Sequence, residues 1–112
     1  MVRPTNFEIR EEATEPVLVL TVTGELDMNT VELLATRLEE RLAERPRPLR
    51  LNLAELEFMD SSGLRLLIDF YDRSRRENWE LTIVAPRNEA AMMVLRATGA
   101  DTALPFESDG SA

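Results

Sequence analysis

Apolar residues in this chain change their spacing repeatedly, and that rhythm limits the fold more than any single residue does. Some stretches have the alternation or β-branched character of strands: Phe7 and Ile9, Val17 to Thr23, Leu49-Leu51-Leu53, and Leu81 to Ala85. Between them lie longer stretches at helical spacing. One runs through Val31, Leu34, Ala35, Leu38 and Leu42. A second runs through Leu64, Leu67, Ile68 and Tyr71, widened by Leu66 and Phe70, and a third through Ala91, Val94, Leu95 and Thr98. Ala103-Leu104-Pro105-Phe106 suggests a short last strand at an edge, because a proline has no N–H to donate. The order is β-β-α-β-α-β-α-β. It predicts an α/β domain with a mixed, mostly parallel sheet, opened by a β-hairpin, with the helices mainly on one face.

Local signals set the expected boundaries. The polar stretch from Glu11 to Pro16 reads as the hairpin connection, and Gly24-Glu25-Leu26-Asp27 ends the second strand. Asn29 followed by Glu32 resembles a capping box, and Arg45-Pro46-Arg47-Pro48 stops the first helix. Asp60 is the expected cap of the second helix, with Met59 and Leu64 as its hydrophobic staple. Arg65/Asp69 and Asp72/Arg76 are candidate pairs on its wet face. Gly99 is the expected end of the third helix. Trp79 reads as a packing residue at the rim of the sheet. Of Met92 and Met93, one is expected in the core and the other more exposed.

The chain of 112 residues suits one domain, spanning 1–112, with 6–106 structured and 107–112 a loose tail. Cys and His are both absent. That removes disulfides, thiolate or imidazole metal ligands and every Ser-His or Cys-His nucleophile pair. The four glycines are scattered, so no phosphate cradle is present, and neither a cofactor nor a metal is expected. A net charge of −8 disfavours nucleic acid and favours a basic protein surface as partner. All thirteen basic residues are Arg, which reads as coding bias. No apolar run is long enough to span a bilayer, and Met1 to Asn6 holds no apolar signal region. The expected compartment is the cytoplasm, with no membrane partner.

The residues that carry chemistry stand where the third strand gives way to the second helix: Asp60-Ser61-Ser62-Gly63. A helix start has free N–H groups and partial positive charge, so it can accommodate an added phosphate. Taken alone, the two serines are cap and turn residues. A serine switch is the reading to weigh against that plain cap. In a parallel α/β sheet the strand-to-helix loops share the carboxyl edge. The loops holding Asp27, Asp60 to Ser62, and Pro86 to Asn88 are therefore expected at one end of the molecule. Asp27 has two compatible readings, a strand terminator and a functional carboxylate. Leu66 and Phe70 likewise read as core at the helix border or as partner-facing residues.

Gly24-Glu25-Leu26-Asp27, Leu51-Asn52-Leu53 and Phe58-Met59-Asp60-Ser61-Ser62-Gly63-Leu64 resemble the STAS domain of bacterial anti-sigma factor antagonists. The resemblance runs from the first strand to Gly99. It implies an antagonist that, unphosphorylated, binds an anti-sigma factor with serine kinase activity and a histidine-kinase-like ATPase fold, so releasing a sigma factor. It further implies phosphorylation of Ser62, with Ser61 the lesser candidate, loss of binding, and resetting by a phosphoserine phosphatase. Asp27 and Asp60 match acidic positions bordering that site, and Asp27, Asp60, Ser61, Gly63 and Leu66 are the implied partner-binding set. Two departures stand out. Ala100-Asp101 follows Gly99 where members often carry an apolar residue, and Glu107 to Ala112 supplies no final amphipathic helix. The alternative within the fold is a STAS scaffold for a transporter, lipid-transport or stress-signalling complex, without a serine switch. An enzyme using a serine nucleophile is disfavoured, because no His, Cys or Lys is present to partner it.

Overall fold

The computed structural model describes residues 6–45 and 47–107. Strands β1 (Phe7–Thr14) and β2 (Val17–Leu26) form an antiparallel ladder from Phe7 opposite Gly24 to Thr14 opposite Val17. The hairpin is tighter than the sequence suggests, because Glu11 to Thr14 belong to β1 and the chain reverses at Glu15-Pro16. The polarity there belongs to an exposed edge strand, not to a loop. Glu11 has work on that edge: it accepts hydrogen bonds from Arg37 at 2.7 Å and Arg41 at 2.9 Å.

The remaining elements are α1 (Val31–Glu44), β3 (Leu49–Asn52), β4 (Leu56–Met59), α2 (Ser61–Glu77), β5 (Leu81–Val84), α3 (Glu89–Thr98), α4 (Ala100–Ala103) and β6 (Phe106–Glu107). The sheet order is β1-β2-β3-β5-β6, and every pairing after the hairpin is parallel. β4 is the strand the periodicity does not reveal. It pairs with β2 beyond β3, setting Gly24 to Leu26 against Leu56 to Met59 with a register shift at Gly24/Glu25. That irregularity leaves Leu56 and Met59 buried with two exposed residues between them, so the strand lacks the alternation that signals one.

One face of the sheet carries the core: Leu18, Leu20, Val22, Leu49, Leu51, Leu81 and Ile83 are all buried. Of the alternate positions, Val19, Arg50, Asn52 and Thr82 are only half-buried while Thr21 and Val84 are buried, so the helices lie mainly, not wholly, on one face. In α2 the buried residues are Gly63, Leu64, Leu66, Leu67, Phe70 and Ser74. The inward stripe is thus rotated from the expected one. Ile68 is 40 % exposed, while Leu66 and Phe70 turn in. The expected pairs Arg65/Asp69 and Asp72/Arg76 are not among the ion pairs of the described residues; α2 instead pairs Arg73 with Glu77 and with Glu39 of α1.

Helix α3 ends at Gly99, whose φ of 79° is the left-handed cap expected of it. Ala100–Ala103 then forms α4, not part of a last strand, and β6 is confined to Phe106–Glu107. Glu107, expected to begin the tail, is therefore in the sheet; residues 108–112 lie outside the described residues. Met92 packs on the core and Met93 is exposed. Trp79 is buried, with its indole N–H on Glu77 at 3.0 Å.

Candidate functional site: a serine pair at a capped helix start

The serine turn is built from its backbone outward. Asp60 caps α2, its Oδ1 accepting from the N–H of Ser62 at 2.8 Å and of Gly63 at 3.4 Å. Its carbonyl oxygen accepts from the N–H groups of Gly63 and Leu64 at 3.1 and 3.2 Å. Orphan donors of the first turn are thereby satisfied, and the Asp60 carboxylate sits at the positive end of the helix. A Cβ on Gly63 would stand 2.8 Å from Met59 Cγ and 2.9 Å from Leu26 Cγ, so the turn lies hard against the ends of β2 and β4. Ser61 is exposed and Ser62 half-buried beside it.

The Asp27 loop meets this turn directly. The N–H of Asp60 donates to the carbonyl oxygen of Leu26 at 3.2 Å, and Leu26 stands opposite Met59 in the ladder. Asp27 and Asp60 are the residues that follow on each strand, so the two loops share one edge as expected. Asp27 also organises its own loop, its Oδ1 accepting from the N–H of Asn29 at 2.9 Å. The capping box expected of Asn29 and Glu32 does not form. Thr30 is the N-cap, and its hydroxyl donates to the Glu25 carbonyl at 2.7 Å and accepts from the N–H of Asp27 at 3.0 Å. That hydroxyl is drawn back to the end of β2, which leaves none for the helix.

The third expected loop stands apart. Arg87 donates its backbone N–H to Ala54 at 3.1 Å, so Pro86 to Asn88 sits beside the β3–β4 junction. The length of β4 lies between that point and Asp60, which is why the convergence expected of three loops holds for two.

From the serines a groove of about 790 Å³ runs between α1 and α2. Val31, Ala35, Leu66 and Phe70 are among its apolar lining, and Glu32, Glu39, Arg65, Asp69, Arg73 and Arg76 bring charge to it. Arg73 spans the two helices, donating to Glu39 at 2.7 Å and to Glu77 at 3.0 Å, with its guanidinium over the Phe70 ring. The hydrogen bond to Glu39 is the main cause that raises the Arg73 pKa above its ordinary value, followed among the raising influences by the bond to Glu77. Chemically, the turn offers an accessible hydroxyl whose neighbouring carboxylate is occupied as a cap.

The family model of the STAS domain matches residues 8–109. The chain belongs to the STAS domain family. Among curated relatives, an anti-sigma F factor antagonist of Paenibacillus polymyxa is 30 % identical over 79 residues, covering 70 % of this chain and 68 % of the relative. The crystal structure of an anti-sigma factor antagonist from Mycobacterium paratuberculosis is 28 % identical, with a TM-score of 0.79 over 95 % of this chain and 89 % of that one. The unphosphorylated form of the anti-sigma factor antagonist SpoIIAA, 20 % identical, shares the fold with a TM-score of 0.73 over 94 % and 89 % of the two chains.

In this STAS domain the expected site residues fall into two groups. Asp27, Asp60, Ser61, Ser62 and Gly63 come together at the carboxyl edge. Leu66 is 8 % exposed, the burial of a core residue, so it supports the groove from beneath and offers little surface of its own. Sequence periodicity passes over two exposed apolar residues. Met28, 73 % exposed, stands in the Asp27 loop, and Leu33 lies outside the buried stripe of α1. Leu33 was detectable by its offset from Val31, Leu34, Ala35 and Leu38; Met28 carries no periodic signal. Among the described residues no helix is long and apolar enough to cross a membrane.

Proposed function

We propose that this STAS domain is an anti-sigma factor antagonist whose binding is switched off by phosphorylation of Ser62. The observation that carries the reading is the Asp60-capped serine pair, Ser61 exposed and Ser62 half-buried, at a helix start beside the Asp27 loop. The names of the curated and solved relatives support the antagonist role. Unphosphorylated, the domain binds an anti-sigma factor that is also a serine kinase with a histidine-kinase-like ATPase fold, and a sigma factor is released. This places its action in the cytoplasm. Asp27, Asp60, Ser61 and Gly63 form the contact edge, and Leu66 holds it from below.

In the kinase, the Ser62 Oγ attacks the γ-phosphorus of ATP. The new P–O bond forms as the bond to the β-phosphate oxygen breaks; ADP leaves, and a kinase base takes the hydroxyl proton. The domain contributes the acceptor and no catalysis of its own. A phosphate of charge near −2 then stands beside Asp60 and the Asp27 loop. The capped helix start tolerates it, while a partner holding nucleotide phosphates is repelled. A loss of roughly 2–4 kcal/mol weakens binding by about 30- to 1,000-fold. A phosphoserine phosphatase hydrolyses the ester and resets the switch.

Phosphopeptide mass spectrometry after incubation with the cognate anti-sigma kinase and ATP tests this. Phosphate on the Ser61–Ser62 peptide, absent in Ser62→Ala, is the expected result. Ser62→Ala should still bind the partner and Ser62→Asp should bind it more weakly. No phosphate on either serine would overturn the switch and favour a STAS scaffold.

A further inference from the structure

Three arginines line the α1–α2 groove, and they differ in what they hold. Arg73 is committed to Glu39 and Glu77. Arg76 lies roughly 16 Å further along the axis than Arg65. Arg65 is exposed and, among the described residues, belongs to none of the ion pairs. Asp69 follows it on the same helix and Glu32 lines the same groove, yet neither engages it. This unclaimed guanidinium stands one helical turn from Ser62.

Helix geometry brings the two groups together. Residues three apart on a helix have Cβ atoms about 5–6 Å from each other. Long helical side chains lean toward the N-terminus and cover the turn before their own Cα. From position 65 that turn is Ser61-Ser62. A guanidinium presents a planar fork of donors that matches phosphate oxygens, which an ammonium does not.

We propose that Arg65 is a phosphate clamp, its guanidinium pairing with the phosphoryl group on Ser62 within the same helix. This rests on the reading of Ser62 as the phosphorylated residue and adds a positioning residue to it. The clamp offsets the repulsion that the phosphate meets from Asp60 and the Asp27 loop, so the modified domain stays folded. It also removes a free cation from the surface presented to the partner. Phosphorylation thereby changes the surface twice, once by adding an anion and once by occupying Arg65.

The test installs phosphoserine at position 62 during translation, which makes it independent of any kinase. Phosphorus NMR then follows the second ionisation of the phosphate, near pH 6. The carboxylates of Glu32, Glu39 and Asp69 in the groove, and of Asp27 and Asp60 at its head, are common to the proteins compared, as are Arg73 and Arg76. Arg65→Gln is expected to raise that pKa by roughly 0.3 unit or more. Arg65→Lys should restore part of the difference, and high salt should shrink it. A difference within about 0.1 unit between the parent and Arg65→Gln would overturn the clamp. Failure of a kinase to phosphorylate Ser62 would count against the functional reading and leave this titration unaffected.

Discussion

The backbone N–H of Asp60 donates to the carbonyl oxygen of Leu26 at 3.2 Å. Through that bond the end of β2 and the start of α2 become neighbours, although most of the intervening chain is spent on α1, β3 and β4. Two carboxylate-bearing loops are thereby set at one edge, with the hydroxyls of Ser61 and Ser62 beside them. Charge added there acts on a surface that is already negative.

Asp60 should prove to be a cap that can be measured apart from binding. Asp60→Ala removes the acceptor for the N–H groups of Ser62 and Gly63 and should cost about 1 kcal/mol of stability. Asp60→Asn keeps a side-chain oxygen and should cost less. Urea unfolding of the two variants checks the order, and a greater loss for Asn would contradict the cap.

Gly63 is held by space. Met59 and Leu26, which a Cβ would strike, are both in the core. Overpacking of that kind costs about 1–3 kcal/mol, and replacing glycine in a helix returns about 1 kcal/mol. Gly63→Ala should therefore lose roughly 1 kcal/mol in denaturant and shift the amide resonances of Ser61 and Ser62. A variant as stable as the parent with unmoved resonances would show that the turn has slack.

The far end of α2 gives a pH signature. Glu77 has a pKa below its ordinary value of 4.5, chiefly because the Trp79 indole donates to it and then because Arg73 does. A carboxylate depressed in the folded state stabilises the fold above its unfolded pKa, and the contribution fades as pH falls through the folded value. Glu77→Gln should therefore be less stable than the parent at neutral pH, and the gap should narrow below pH 4.5. Trp79 is the only tryptophan, so its fluorescence reports unfolding at each pH. A gap that widens on acidification would reverse the assignment.

Long periodic segments and local caps were legible in the residues. The alternation of Leu49, Leu51 and Leu53 and the stripe of α1 place their elements within a residue or two, and Asp60 and Gly99 do what their positions imply. Elements whose pattern tertiary structure overrides were not legible. The irregular pairing with β2 erased the alternation of β4, and edge exposure made the second half of β1 resemble a loop. The rotation of α2 depends on Gly63 packing inward, and hydrophobic spacing alone cannot assign a residue with no side chain to a face. At the site, the nearness of Asp27 and Asp60 followed from topology. The distance of the Pro86 to Asn88 loop did not, because it is set by the unseen length of β4.

That strand has a consequence for how such proteins diversify. β4 departs from the line of β3 and carries the serine turn outward, with α3 packed against it. The serine turn is thus carried by a four-residue strand that is tied to β2 on one side and buries Leu56 and Met59 in the core. Related proteins sharing one cell must keep their signals from crossing. Changes at the exposed Glu57 and Phe58 of β4 can alter that edge while the buried Leu56 and Met59 stay in place, so a new surface need not cost a new fold.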